Sequence, residues 1–293
     1  MSHPIFKIAA VVAACFASVG AQAQVSLLGL SASQELVRFA PDQGQAAVSV
    51  AITGLGSGER LLGIDLRPTD GRVYGISSAN NLYTLDAFTG QASLLRALSG
   101  ASLNGAGDIG IDFNPVADFA GSTSLRVTTG AGNNYAVNAN TGVVGNTASN
   151  IGAGHTGVAY ANSVVGVAPT TTGLYYINSS TDQLEFAPGS FNSPTISVIG
   201  NLNLSSKLLS ANGFDIASNG MAYAALNLAD GSGQTGIYGI NLSSGAATKL
   251  STYNGTLLGL TQSAAAVPEP DSAVLMGLGL AAMFAFSRRA KKA

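Results

Sequence analysis

Three aspartates recur in similar surroundings and are the residues best suited to bind a ligand. Asp65 and Asp112 each follow Gly-Ile and lie three residues before a proline, and Asp215 follows Gly-Phe. Carboxylates at one position of a repeated unit can meet around a hard cation such as calcium, or bind the hydroxyls of a sugar. The alternative, which the nearby prolines favour, is that each aspartate caps its following turn through backbone N–H groups.

The sequence offers little for nucleophilic or zinc catalysis. Of its two histidines, His3 lies at the extreme N-terminus, which leaves His155 for any mature enzyme. Zinc sites generally use several His or Cys ligands, and a Ser-His-Asp triad would need this one histidine. Its glycine-rich surroundings from Gly152 to Gly157 predict a solvated loop. We therefore predict no catalytic residue and no cofactor, with calcium at the three aspartates as the one metal hypothesis.

The elements that carry these residues belong to a repeat of about 50 residues. The clearest unit, Leu82–Gly90, has apolar residues and a tyrosine, then Asp86 and a closing glycine. This pattern predicts a strand and then a turn into a further strand. Similar units occupy Leu36–Gly44, Asn134–Gly142, Leu174–Asp182 and Ile237–Gly245.

Two more strands precede each hairpin. The first carries the glycine and aspartate motif, and the second lies between that motif and the hairpin. We predict these second strands at Arg72–Ser77, Ser124–Thr128, Val164–Ala168 and Met221–Leu226.

Four short antiparallel strands per repeat are typical of a β-propeller blade. We predict an all-β chain with a single five-bladed β-propeller over residues 24–262 and tyrosines packed between blades. Six blades is the alternative, because the interval from Leu174 to Ile237 exceeds one repeat. An orphan strand, Leu257–Thr261, should pair with Ser26–Leu30 and close the ring, which removes exposed sheet edges.

These repeats resemble a family of secreted bacterial proteins known as a domain of unknown function and expected to be propeller-like. The resemblance rests on Gly63–Pro68 and Gly110–Pro115, each followed by the strand and turn unit, and it covers about Leu28 to Leu260. The resemblance implies a fold, and it carries over no activity and no catalytic residue.

The N-terminal residues 1–23 have the pattern of a secretory signal helix. A short positive start precedes the apolar run Ile8–Gly20. Ala21 and Ala23 form a small-x-small site for signal peptidase, so the mature chain should begin at Gln24.

A rival interpretation of this segment is a lipoprotein signal. Val12 to Cys15 resembles a lipobox, which would place a lipid on Cys15. If the ordinary site is used instead, the only cysteine is lost with the signal, and the mature protein has no disulfide.

The C-terminus combines a short motif, an apolar stretch and a basic end. A linker at 263–271 leads to a hydrophobic helix at 272–287, and residues 288–293 form a basic tail that favours the cytoplasm. The apolar stretch is shorter than the roughly 20 residues that span a bilayer comfortably. The linker contains the motif Val267, Pro268, Glu269 and Pro270.

This arrangement resembles the PEP-CTERM sorting signal of Gram-negative bacteria. The resemblance implies a transient membrane anchor that is recognised and removed by an exosortase, a membrane enzyme, and export alongside exopolysaccharide in biofilm-forming species. The alternative is an ordinary anchor that is never cut.

Charge and composition exclude some classes of function. Only 10% of the residues are charged and the formal net charge is -2, which is unlike a nucleic-acid-binding protein. The leading hypothesis is an exported, non-enzymatic binding or matrix protein of the cell surface or extracellular polymer. The rivals are a secreted carbohydrate lyase or hydrolase, which would need two carboxylates about 5–9.5 Å apart in an open cleft, and a purely structural surface protein.

Overall fold

Apolar residues and tyrosines that alternate with short polar residues and glycine produce short strands joined by tight turns. The computed structural model describes residues 25–103, 108–122 and 124–263, and these residues form five four-stranded antiparallel sheets. The predicted signal segment, its cleavage site at Ala23 and Gln24, the motif from Val267 to Pro270 and the helix at 272–287 lie outside the described residues.

The strands follow one another along the chain, sheet by sheet. The first sheet contains β1 (Leu27–Ser31), β2 (Glu35–Phe39) and β3 (Val48–Ala51). The second contains β4 (Leu61–Leu66), β5 (Val73–Ser77), β6 (Asn81–Leu85) and β7 (Ala92–Ala97). The third contains β8 (Ile109–Phe113), β9 (Leu125–Thr129), β10 (Asn134–Val137) and β11 (Val144–Gly145), with helix α1 (Pro115–Phe119) after β8.

The last two sheets repeat this order, and the final strand returns to the first sheet. The fourth sheet contains β12 (His155–Tyr160), β13 (Leu174–Asn178), β14 (Gln183–Ala187) and β15 (Ser197–Asn201). The fifth contains β16 (Leu208–Ile216), β17 (Ala222–Leu228), β18 (Thr235–Ile240) and β19 (Ala247–Tyr253). The final strand is β20 (Leu257–Gln262), which completes the first sheet.

The two ends of the described chain close the ring, as predicted. Strand β20 pairs antiparallel with β1, with Leu260 opposite Gly29. Beyond this pairing, the Ser263 N–H donates to the Ser26 carbonyl oxygen at 2.8 Å. The innermost strands β4, β8, β12, β16 and β20 each contact the innermost strands of both neighbouring sheets. The protein is therefore a five-bladed β-propeller, and the prediction of five blades is confirmed.

Glycine in the repeated motif allows neighbouring inner strands to approach each other. A Cβ at Gly213 would lie 2.5 Å from the Cβ of Leu260 on β20. A Cβ at Gly157 would lie 2.6 Å from the carbonyl oxygen of Ala211 on β16. Both distances are shorter than van der Waals contact, so a side chain at either position would force the inner strands apart.

The predicted hairpin turn is confirmed in the second, third and fifth sheets. The Oδ1 atom of Asp86 accepts hydrogen bonds from the N–H groups of Phe88 and Thr89, both at 2.8 Å. Gly90 then takes a positive φ of 73°, which glycine adopts without strain. Asn138 and Asn241 cap the corresponding turns of the third and fifth sheets in the same way.

The hydrophobic core lies between the sheets. Tyr83 packs in a cluster shared by the first and second sheets, Tyr135 in one shared by the second and third, and Tyr238 in one shared by the fourth and fifth. Each tyrosine comes from the third strand of its sheet and faces the preceding blade. The expectation that the repeated tyrosines pack between blades is confirmed.

The prediction for the fourth repeat is wrong by one strand. Leu174–Asn178 is the second strand of its sheet and not the third, and Val164–Ala168 belongs to the loop between β12 and β13. Gly166 turns this loop with a φ of 76°, and a single bridge joins Val164 to Val167. The interval from Leu174 to Ile237 therefore runs from a second strand to a third strand, which explains why it suggested an extra blade.

Helix α1 is a short insertion that begins on a side-chain cap. The Oδ1 atom of Asn114 accepts a hydrogen bond from the Ala117 N–H at 3.0 Å, and Pro115 occupies the first turn. This helix places Asp118 against the second sheet. Within the described parts of the chain, no helix is long and apolar enough to cross a membrane.

Candidate functional site

The five inner strands bring the three predicted aspartates together at the ring axis. Asp65 lies on β4, Asp112 on β8 and Asp215 on β16, and each follows its motif glycine by two residues. All three are buried, and one carboxylate oxygen from each lies within 4.8 Å of the others. We call these three side chains the carboxylate cluster.

The three carboxylates bind backbone groups of the next blade. Phe113 N–H donates to Asp65 Oδ2 at 2.7 Å, and Tyr160 N–H donates to Asp112 Oδ1 at 3.1 Å. Gln262 N–H donates to Asp215 Oδ2. In each case the donor follows the position on the neighbouring inner strand that corresponds to the aspartate. The expectation that each aspartate caps its own following turn is thus wrong, because the N–H groups it binds belong to the adjacent sheet.

Thr261 on β20 occupies the corresponding position in the first sheet and joins two of the carboxylates. Its Oγ1 atom accepts a hydrogen bond from Leu66 N–H at 3.1 Å. The same atom lies 2.9 Å from Asp65 Oδ1 and 3.2 Å from Asp215 Oδ2. A hydroxyl group has one proton, so it can donate to only one of the two carboxylates. Both contacts are hydrogen bonds when the other carboxyl group is protonated and donates to Thr261.

Burial and mutual repulsion favour a proton in the carboxylate cluster. Burial raises the pKa of Asp65 and of Asp112 well above the usual range, and like charges on the neighbouring aspartates raise both further. Burial also raises the pKa of Asp215. Three adjacent negative charges in a buried site would repel one another. Binding at least one proton or a cation therefore costs less free energy than ionising all three carboxylates.

The geometry of the carboxylate cluster is compatible with a hard cation. Oxygens within 4.8 Å of one another fit around one Ca²⁺, which bonds oxygen at about 2.3–2.6 Å. A cavity of about 20 Å³ adjoins Asp65, Asp215 and Thr261. That volume holds one ion or one water molecule. It does not admit a sugar ring, so the cluster does not provide the open cleft that glycoside hydrolysis requires.

His155 is buried, which corrects the prediction of a solvated loop residue. It is the first residue of β12, and its Nδ1 lies 2.8 Å from the Gly152 carbonyl oxygen. Its Nε2 lies 2.8 Å from Glu185 Oε2 on β14, and Asn178 Nδ2 donates to the other carboxylate oxygen at 3.1 Å. The glycines before His155 resemble a loop, but the ring packs inside the blade against Tyr176.

Sequence reasoning missed two buried arginines that lie between blades. The Arg67 guanidinium binds Asp118, with Nε 2.8 Å from Oδ1, and its Nη2 donates to Asn140 Oδ1 at 3.0 Å. The Arg126 guanidinium donates from Nε to the Tyr160 hydroxyl at 3.3 Å. Arg67 lies in the Gly63–Pro68 motif but was given no role there, and Arg126 lies outside the motifs. The useful signal was the rarity of cations in a chain with 13 lysines and arginines.

Comparison with family models gives two matches. A model described as Domain of unknown function (DUF4394) matches residues 35–261, and a model described as PEP-CTERM protein-sorting motif matches residues 266–289. A comparison with curated proteins found no match.

Two solved structures have a similar arrangement at low identity. Regucalcin, a calcium-binding protein from Agrobacterium tumefaciens, is 15% identical, with a TM-score of 0.41 over 80% of this chain and 71% of that one. A proposed 6-phosphogluconolactonase from Bacteroides uniformis is 13% identical, with a TM-score of 0.39 over 80% of this chain and 83% of that one. At these values neither structure carries a function over to this chain.

Proposed function

The chain belongs to the DUF4394 family and carries a PEP-CTERM sorting motif, and from this premise we propose that it is a non-enzymatic binding protein of the envelope or extracellular polymer of a Gram-negative bacterium. The sorting motif implies an exported protein of the cell envelope that is processed by exosortase. The finer steps of the proposal are removal of residues 1–23 by signal peptidase, transient anchoring by 272–287 and a cut near Pro270.

The observation that carries the proposal is the closure of the ring before the sorting motif begins. The last strand ends at Gln262 and pairs with the first strand of the described chain. The motif match starts at residue 266. Removal of the tail would therefore take away no strand of the propeller, which supports a tail that serves export and a ring that serves binding.

The processing steps are tested by intact mass and terminal sequencing of protein recovered from a host with exosortase and from a matched host without it. We expect a chain that begins at Gln24 and ends near Pro270 only where exosortase is present. The variant Glu269→Ala should stay in the membrane fraction. A released chain with an intact tail would overturn the sorting proposal, and a lipid on Cys15 would overturn cleavage after Ala23.

The binding role is tested with mature protein and native extracellular polymer. We expect the protein to co-sediment with the polymer and to generate no new reducing or unsaturated chain ends. New chain ends would support the alternative of a secreted carbohydrate lyase or hydrolase. An equal phenotype from a ring without its sorting tail would argue against a purely structural display role.

A second candidate function, calcium binding by the carboxylate cluster, is favoured by the distance of at most 4.8 Å between the carboxylate oxygens. It is tested by titrating calcium into chelator-treated protein and into Asp112→Asn. Binding by the wild type that is lost in the variant would support this role, and an absence of binding would leave the cluster with its hydrogen-bonding role between blades.

A further inference from the structure

We infer that the pocket above Arg126, between the third and fourth blades, binds the carboxylate of an acidic sugar. We call it the Arg126 pocket, and it is lined by Asn114, Ala117, Arg126, Ser190, Phe191, Asn192 and Ser193. The inference deepens the proposed binding function, because it names the chemical class of ligand and the side chain that recognises it.

Arg126 is a buried cation that forms no ion pair with any residue that the structure describes. Its side chain comes from β9, the residue is 5% exposed, and no carboxylate of the described residues lies within 4.0 Å of the guanidinium. Its hydrogen-bond partners are neutral. Burying a charge without a partner costs several kcal/mol, so an anion that enters this pocket removes part of that cost.

The hydrogen bonds of Arg126 leave capacity for a ligand. Nη1 donates to Asn134 Oδ1 at 3.1 Å and to the Tyr135 carbonyl oxygen at 3.3 Å. Nη2 donates to Asn192 Oδ1 at 2.9 Å, the single acceptor that the described residues provide for its two N–H bonds. The remaining N–H is therefore the group that a carboxylate oxygen would bind.

The preceding junction between blades shows what complements such an arginine. Arg67 also contacts a tyrosine hydroxyl, that of Tyr74, and an asparagine of the next blade, Asn140. There the Asp118 carboxylate completes the site, with Oδ1 2.8 Å from Arg67 Nη2. The loop between β12 and β13, residues 161–173, contains no Asp or Glu that could do the same at Arg126. One junction thus has its own carboxylate, and the next has a pocket.

The other side chains of the Arg126 pocket suit a sugar. Asn114, Asn192, Ser190 and Ser193 offer amide and hydroxyl groups that pair with sugar hydroxyls, and no carboxylate lines the pocket to repel an anion. The Phe191 ring is half-buried and held edge-on to Tyr160, with the ring centres 5.0 Å apart. The volume is about 400 Å³, which accommodates one or two sugar rings.

The deciding variant is Asn192→Asp, which places an internal carboxylate beside Arg126 Nη2. Because Asn192 is exposed, we expect this variant to fold, and the new carboxylate should take the place of the ligand's. The matched control is Asn140→Asp, since Arg67 already has Asp118. Titrations by calorimetry or NMR would use galacturonate and its dimer, with galactose as the neutral probe and inorganic phosphate as the sugar-free anion.

We expect galacturonate to bind wild type and Asn140→Asp, and to bind Asn192→Asp at least about tenfold more weakly, which corresponds to about 1.4 kcal/mol. Galactose should not bind measurably. Equal binding of phosphate and galacturonate, or equal binding by all three proteins, would overturn the inference. Polymer co-sedimentation that persists in Asn192→Asp would overturn this site while leaving the proposed binding function intact.

Discussion

The carboxylate cluster stabilises the ring through hydrogen bonds and destabilises it through charge. Each aspartate accepts a backbone N–H from the next inner strand, and hydrogen bonds to a charged acceptor stabilise by about 1.5–3 kcal/mol. The same three groups are buried side by side, so full ionisation opposes burial. The pKa values of the three aspartates are raised in the folded protein. The contribution of these aspartates to stability is therefore greatest below the pKa of an unfolded aspartate, about 3.9. It is lost as the pH rises through the folded-state pKa values.

We predict that Asp112→Asn stabilises the protein at alkaline pH. The amide oxygen can still accept the Tyr160 N–H, the negative charge is gone, and the amide N–H groups can donate to Asp65 or Asp215. Melting curves should show the variant several degrees above wild type near pH 8, the size expected for about 1–2 kcal/mol. The gain should shrink as the pH falls towards about 5. The exposed control Asp42→Asn should match wild type, and a loss of stability at pH 8 in Asp112→Asn would contradict the prediction.

His155 and Glu185 form a buried pair inside the fourth blade, with their side chains 2.8 Å apart. The two ring nitrogens face oxygens of the chain, with Nδ1 2.8 Å from the Gly152 carbonyl oxygen and Nε2 2.8 Å from Glu185 Oε2. We predict that Glu185→Leu lowers the free energy of unfolding by about 3–5 kcal/mol, since it removes the acceptors of both His155 and Asn178. Denaturant unfolding should show a smaller loss for Glu185→Gln, which keeps one oxygen. If both variants lost the same free energy of unfolding, the effect would come from the shape of the side chain and not from its hydrogen bonds.

Sequence reasoning located the three aspartates but not the groups that they bind. The Gly-Ile-Asp spacing places Asp65 and Asp112 on equivalent strands, yet their N–H partners lie 48 residues away on the next blade. His155 was misjudged because its glycine-rich neighbours hide its pairing with Glu185 across the sheet. Arg126 belongs to no repeated motif. Its proposed role is inferred from the absence of Asp and Glu in the loop 161–173 of the next blade.

At the scale of elements, the spacing of the inner strands depends on glycine. We predict that Gly213→Ala destabilises the protein by about 2–3 kcal/mol, because the added Cβ would overlap the Leu260 Cβ and lie 2.7 Å from the Leu260 N. The matched control is Gly189→Ala, where nothing lies within 4 Å of the added Cβ. Thermal melts would compare the melting temperatures of the two variants. Equal melting temperatures would show that β16 and β20 can move apart without loss of stability.

The repeat predicted most elements because local chemistry sets them. Asp86 with Gly90 makes a capped turn in the second sheet, and the same turn recurs at Asn138 in the third sheet and at Asn241 in the fifth. The fourth sheet departs from the rule because Val164–Ala168 has strand-like composition but no neighbour with which to pair. Gly166 turns this segment, its N–H donates to the Pro68 carbonyl oxygen of the second blade at 2.9 Å, and Val165 and Val167 remain exposed. Whether Val164–Ala168 forms a strand depends on a neighbouring strand with which it could pair, and a single sequence does not specify such partners.

At the scale of the whole molecule, closure by β20 makes the five blades depend on one another. In an open array the end repeats can unfold first, whereas a closed ring gives every inner strand two neighbours. We predict that the chain 24–263 unfolds in one cooperative transition, because separating any two neighbouring blades exposes two hydrophobic faces and breaks the contacts between their inner strands. Calorimetry checks this through equal calorimetric and van't Hoff enthalpies of unfolding.

A shorter chain, 24–255, tests the same claim from the other side. It lacks β20 and with it the pairing to β1, the Thr261 hydroxyl and the Gln262 N–H that binds Asp215. We expect this chain to aggregate or to lose cooperative unfolding, since β1 and the inner strands on both sides of the gap would present unpaired or uncovered edges. The chain 24–263 serves as its control, since the two differ only in residues 256–263. If the shorter chain melted cooperatively at the temperature of its control, the final strand would be an accessory, and the blades would hold together without a closed ring.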